Sequence, residues 1–128
     1  MLRFLCILCL TASPLSAQDV QVLPGYSDFR MPDTTVHARP MTLMQDWIME
    51  FPGTGEGRPA MEIVASLEDD RLVIEFTETG IADDSVSAIQ RRMEFSPAED
   101  RRWTLVAYGF RQKCWRGASD DWQATPCP

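Results

Sequence analysis

Residues 61–78 read Met61-Glu62-Ile63-Val64-Ala65-Ser66-Leu67-Glu68-Asp69-Asp70-Arg71-Leu72-Val73-Ile74-Glu75-Phe76-Thr77-Glu78, two runs of β-prone residues on either side of an Asp-Asp step. A two-residue turn at Asp69-Asp70 pairs residues whose numbers sum to 139, and that register can be tested against side-chain chemistry. It sets Leu67 against Leu72, Ala65 against Ile74 and Ile63 against Phe76 on one face. Ser66, Glu75, Glu62 and Thr77 fall on the other. Slipping the register by one residue would exchange the faces, so a single apolar face argues for this pairing. Glu68 and Arg71 flank the turn as an exposed opposite-charge pair of modest worth.

A second hairpin follows, with Val86–Phe95 and Trp103–Cys114 as strands and the polar run Ser96–Arg102 as the turn. Placing Phe95 opposite Trp103 makes Met93 meet Leu105, with Ile89 and Ala107 on the same face. Val86, Ala88, Val106, Tyr108 and Phe110 then gather on the other. A helix starting at Asp84 competes, because Val86, Ile89 and Met93 also have helical spacing after an Asp-Asp-Ser cap.

Upstream, Leu43, Met44, Trp47, Ile48 and Phe51 share one helical face, with Pro40 near the start and Pro52-Gly53 at the end. Met41, Leu43, Trp47, Met49 and Phe51 satisfy a two-residue period as well, so residues 41–51 could instead form a strand. Gly53-Thr54-Gly55-Glu56-Gly57-Arg58-Pro59 is a flexible connector. It lacks the Gly-Lys-Ser/Thr ending of a phosphate loop, and Glu56 would face the anion. The expected fold is α+β: a four-stranded antiparallel β-meander with one N-terminal helix and a C-terminal disulfide loop, an all-β chain being the alternative.

Residues 18–40 carry Pro24, Pro32 and Pro40 with no sustained period, and read as an extended, partly mobile Pro-containing arm ahead of a single globular domain, 41–128. Residues 1–17 combine Arg3, the apolar run Phe4–Leu10 and small residues up to Ala17, the order of a secretory signal peptide. Cys6 and Cys9 have redox-motif spacing but fall within this removed segment. The bulky Ile7-Leu8 before Cys9 disfavours a lipoprotein.

The 128 residues carry 12 basic and 19 acidic side chains, a net charge of −7. Cleavage after Ala17 removes Arg3 and no acid, leaving −8. That balance disfavours nucleic acid and anionic lipid, and the run Phe4–Leu10 is far short of the roughly 18 residues of a membrane span. Cys114 and Cys127 remain, and in an oxidising compartment they are expected to form a disulfide worth about 3 kcal/mol by loop closure. The chain has no Asn and one Lys, Lys113, so N-glycosylation is excluded and the codon bias fits a GC-rich bacterium. The protein is therefore expected in the periplasm or secreted.

Chemistry-bearing residues are few. The one histidine, His37, lies in the arm and reads as an exposed residue without a nucleophile beside it. The paired acids at 69–70, 83–84 and 120–121 lack the spacing of a calcium loop. No metal, cofactor or catalytic group is expected. Glu62 and Glu75 share the outer face of the first hairpin, and a small carboxylate-based hydrolase using Glu75 and Asp83 is the alternative function. The more unusual feature is two tryptophans within the twelve residues between Cys114 and Cys127. Trp115, Arg116, Trp122 and Tyr108 are the candidate contacts of a binding surface, being residue types enriched at hot spots. The competing reading makes Trp115 and Trp122 a small core over the end of the sheet. A non-enzymatic binding or envelope-accessory role follows, with another envelope macromolecule, a basic one, as partner.

Gly80-Ile81-Ala82-Asp83-Asp84-Ser85-Val86, Arg92-Met93-Glu94-Phe95, Trp103, Gly109, Cys114-Trp115-Arg116-Gly117, Trp122 and Cys127-Pro128 together resemble the closing half of a group of small exported bacterial proteins of uncharacterised function. The resemblance covers about residues 80–128 and implies export and a disulfide. Ala118-Ser119-Asp120 stands where that group has a loop containing glycine, arginine and histidine.

Overall fold

A computed structural model describes residues 19–31, 34–53, 56–117 and 119–128. The expected signal peptide lies outside the described residues. The chain forms a predominantly β structure with strands β1 (Gln21–Val22), β2 (Val36–His37), β3 (Ala60–Glu68), β4 (Arg71–Thr79), β5 (Val86–Pro97) and β6 (Trp103–Cys114), and one short helix, α1 (Gln45–Glu50). The meander β3-β4-β5-β6 is present, but the sheet is six-stranded and mixed rather than four-stranded. The additional strands come from the arm. β1 runs parallel to β6 at Ala107–Tyr108, and β2 runs antiparallel to it at Trp103–Thr104. Without them β6 would present a long row of unpaired main-chain groups, which these two short strands partly cover.

The first hairpin has the expected register throughout, from Glu68↔Arg71 to Ala60↔Thr79, with Leu67↔Leu72, Ala65↔Ile74 and Ile63↔Phe76 among its pairs. The second does not. Pro97 rather than Phe95 faces Trp103, and Phe95 faces Leu105. A bulge between Glu94 and Phe95 then inserts one residue of β6, so Met93 meets Tyr108, and Ala107 faces Glu94. An extra residue exchanges the faces beyond it, which brings Tyr108 to the side of Met93 and leaves Ala107 opposite a charge. The competing helix from Asp84 does not form. Asp83 Oδ1 instead accepts the backbone N–H groups of Ser85 and Val86, both at 2.7 Å, closing a turn that launches β5.

Residues 41–50 are helical, not a strand. A 3₁₀ turn over Pro40–Met44 leads into α1, with Pro40 in the first turn where its missing N–H costs nothing. Burial decides against the strand: Met44 is fully buried while Met49 is 76% exposed. Phe51 leaves the helix in an extended conformation and Gly53 turns back with a positive φ.

One face of the sheet carries the core of Met44, Ile74, Phe76, Met93, Phe95 and Leu105 beneath the helical segment. Each fully buried side chain of this size contributes about 1.5–3 kcal/mol. The arm adds Phe29, whose ring meets Tyr108 at 5.1 Å and Trp47 at 5.5 Å, both edge to face.

The opposite face is polar and centres on Arg92. Its guanidinium binds Glu68 (3.0 Å), Glu75 (3.1 Å) and Glu94 (2.9 Å), and Arg71 reaches Glu94 at 3.0 Å. Burial opposes the charge on Arg92, but the hydrogen bonds it donates to Glu94, Glu75 and Glu68 more than offset this and raise its pKa. Beside this network Tyr26 lies over Gly109, where a Cβ would collide with the Tyr26 side chain.

His37 departs from the expected exposed arm residue. Its β2 position turns the ring edge-on to Phe95, 6.1 Å between centroids, and its Nε2 is buried without a hydrogen-bond partner. Burial lowers its pKa below the ordinary 6.5, against a smaller opposing effect of a backbone hydrogen bond at Thr34. A depressed histidine is kept neutral in the fold, so its contribution is present above pH 6.5 and is lost as pH falls from there through the folded pKa. An NMR titration of this single imidazole should therefore give a midpoint below 6.5. A midpoint at or above that value would contradict its placement.

Candidate functional site

Four strand ends and the end of α1 meet at one pole of the domain: the start of β3, the end of β4, the start of β5 and the end of β6. A cavity of about 280 Å³ opens there, lined by Trp47, Glu50, Phe51, Glu56, Ile81 and Arg91 among others. The volume is close to the lower end of small-ligand pockets.

Arg91 belongs to the core face of β5 but carries a charge, and the fold accommodates it at this mouth. Its Nη1 donates to Glu78 Oε2 at 2.9 Å, and its guanidinium lies 4.7 Å above the Trp47 ring and 5.8 Å from Phe76. A guanidinium on an indole face is held by the ring quadrupole, worth about 0.5–2 kcal/mol. The wall is thus a fixed sandwich of aromatic, cation and carboxylate. Glu50 and Glu56 are both exposed carboxylates of the lining, so the cavity carries more negative than positive charge.

Its remaining wall depends on two glycines. Gly57 and Gly80 both have positive φ, and a Cβ on Gly80 would run into the carbonyl of Arg58. The connector before β3 and the loop after β4 therefore pack backbone against backbone, bringing Pro59 and Ile81 to the same cavity.

The loop that contributes Ile81 and Ala82 continues to the disulfide segment. Trp115 N–H donates to the Ser85 carbonyl at 2.8 Å, and Ser85 Oγ donates to the Pro128 carbonyl at 3.1 Å. Cys114 and Cys127 are joined, as expected. Gln112 and Gln123 add a reciprocal pair of backbone hydrogen bonds at 2.8 and 2.9 Å. These ties hold Trp115, 62% exposed, and the exposed Arg116 at the same pole as the cavity.

The four residues singled out from the sequence separate in space. Tyr108 packs against the core through Phe29. Trp122 is half-buried over β6, with Arg111 at 5.3 Å and Lys113 at 5.2 Å from its ring, while Arg111 also lies 4.7 Å over Tyr26. Trp115 and Arg116 remain open to a partner. Glu75 and Asp83 are not brought together. Glu75 faces Arg92, six residues into β5 from Val86, which places it on the order of 20 Å along the strand from the Asp83 turn. Paired carboxylates of a glycosidase stand within about 10 Å. Among the described residues no group of three or more His, Cys, Asp or Glu side chains is arranged to hold a metal, and no helix is long and apolar enough to cross a membrane.

Sequence reading missed Trp47, Glu50, Arg91 and Gly80 as site residues. The available signal was Arg91 itself, a cation at a position whose alternation places it among Ile89, Met93 and Phe95. No protein-family model matches the chain, and no curated protein and no solved structure is significantly similar to it.

Proposed function

We propose that this is an exported, non-enzymatic binding protein that takes a basic side chain of another envelope macromolecule into the Trp47 cavity, with Trp115 and Arg116 contacting the flanking surface. The observation that carries this reading is the cavity, whose lining sets the carboxylates of Glu50, Glu56 and Glu78 against the one cation Arg91. A cation at its mouth meets the Glu50 carboxylate, with Glu56 also in the lining, while Arg91 already covers a face of the Trp47 ring. The acidic chain supports encounter with a basic partner, since net charge accelerates association more than it tightens it. The disulfide fits an oxidising compartment.

The test is an NMR titration of the protein with tri-arginine, and with tri-glutamate as the control. Tri-arginine should produce saturable shifts at the Trp47 indole N–H and at residues 79–82, weakening with added salt. Glu50→Gln with Glu56→Gln should reduce that affinity about tenfold, the effect of losing on the order of 1.4 kcal/mol from two exposed charge contacts. Equal responses to both peptides, or none to either, would overturn the reading.

A further inference from the structure

The outer edge of the sheet is β3, nine residues from Ala60 to Glu68 that pair with β4 on one side and with nothing described on the other. Natural edge strands are blunted by charged side chains, lysine above all, by proline, by a bulge or by brevity. β3 has two carboxylates, Glu62 and Glu68, and none of the other devices. It contains no Lys or Pro, its ladder with β4 runs without a register shift, and it is long. It also carries three of the exposed large apolar side chains: Met61 (36%), Val64 (42%) and Leu67 (69%).

The order of these residues is self-complementary. We infer that β3 pairs antiparallel with β3 of a second copy of this chain, about a two-fold axis through Val64, joining two sheets into one. Pairing every residue of the strand requires partner numbers to sum to 128. Met61 then faces Leu67, Ile63 faces Ala65, and Val64 faces its own copy. Both carboxylates face uncharged residues, Glu62 against Ser66 and Glu68 against Ala60. Shifting the axis to Ala65 would set Glu62 against Glu68. In the Val64 register those two glutamates are diagonal neighbours, and Glu68 is already matched by Arg92 at 3.0 Å.

Backbone geometry permits the same register. The two-residue loop closes on Glu68 and Arg71, and the alternation of antiparallel ladders then turns the main-chain groups of Met61, Ile63, Ala65 and Leu67 outward. Those residues meet one another in the Val64 register. Val64 itself falls on a non-hydrogen-bonded pair, where Cα atoms approach to about 4.5 Å.

That spacing is within disulfide reach, whereas the two Ser66 positions would be separated by roughly four residues of strand, about 13 Å. Protein recovered from the periplasm of an expressing host should sediment at twice the monomer mass of 14.5 kDa or slightly less after signal removal. Val64→Cys should cross-link between chains under mild oxidation at least tenfold faster than Ser66→Cys. Val64→Lys, a change at a partly exposed side chain, should give a monomer with an unchanged circular-dichroism spectrum. A parent protein that stays monomeric at millimolar concentration would overturn the inference. So would a dimer that survives Val64→Lys, or equal cross-linking of the two cysteine variants.

Discussion

Phe76→Ala is expected to destabilise the protein by about 3–5 kcal/mol, measured as a fall in the urea midpoint at unchanged slope. Phe76 is fully buried in the middle of β4, between Ile63 on β3 and Arg91 on β5. Its ring also lies 5.7 Å from Trp47, the residue that closes the core from α1. Truncation removes apolar burial and leaves a void that the two neighbouring strands cannot collapse to fill. Total stabilities of small domains are about 5–15 kcal/mol, so the variant should be partly unfolded near physiological temperature. Leu67→Ala, in the same hairpin but 69% exposed, should change the midpoint little in the isolated chain. Equal effects of the two substitutions would refute the assignment of faces. Because Phe76 underlies both Trp47 and Arg91, the folded fraction should also bind tri-arginine more weakly.

Removing the disulfide by Cys114→Ser with Cys127→Ser should cost about 3 kcal/mol, the loop-closure term for a bridge spanning 13 positions. Reductant should produce the same loss in the parent and none in the double variant. The loss has a location. Cys114 ends β6 and is buried, while the segment it retains carries Trp122 over Arg111 and Lys113. Hydrogen exchange should rise first in residues 119–128, ahead of β4 and β5. Identical urea midpoints with and without reductant would show that the Gln112–Gln123 bonds suffice on their own.

The first hairpin was legible because two independent signals agreed, a two-residue turn and a period-two pattern whose apolar face survives only in one register. The second hairpin had the right strands and the wrong register. Nothing in Ser96–Arg102 marks Pro97 as the closing residue, and the bulge at Glu94/Phe95 depends on packing across β6. β1 and β2 span two residues each, too short for any period to show. The cavity was invisible for a different reason: it assembles from α1, the connector, the end of β4, the β4–β5 loop and one residue of β5, which together carry no motif. Cysteine spacing located the Trp115 loop. It could not say that Trp115 would project while Trp122 folded back onto two cations, because that depends on which side of β6 each lies.

Both strands of the arm are anchored on β6, the last strand to be made. Gln21–Val22 and Val36–His37 leave the ribosome early, yet their hydrogen-bond partners at residues 103–108 arrive only near the end of synthesis. Until then the emerging chain can close only the β3–β4–β5 meander through local contacts, with the arm waiting unpaired. Such late, long-range closure slows folding, because loop entropy is lost before the final contacts form. Docking of the arm and pairing of Cys114 with Cys127 therefore wait until β6 and the residues after it have been made. A chain truncated before Trp103 should retain neither a seated arm nor a covered β5 edge.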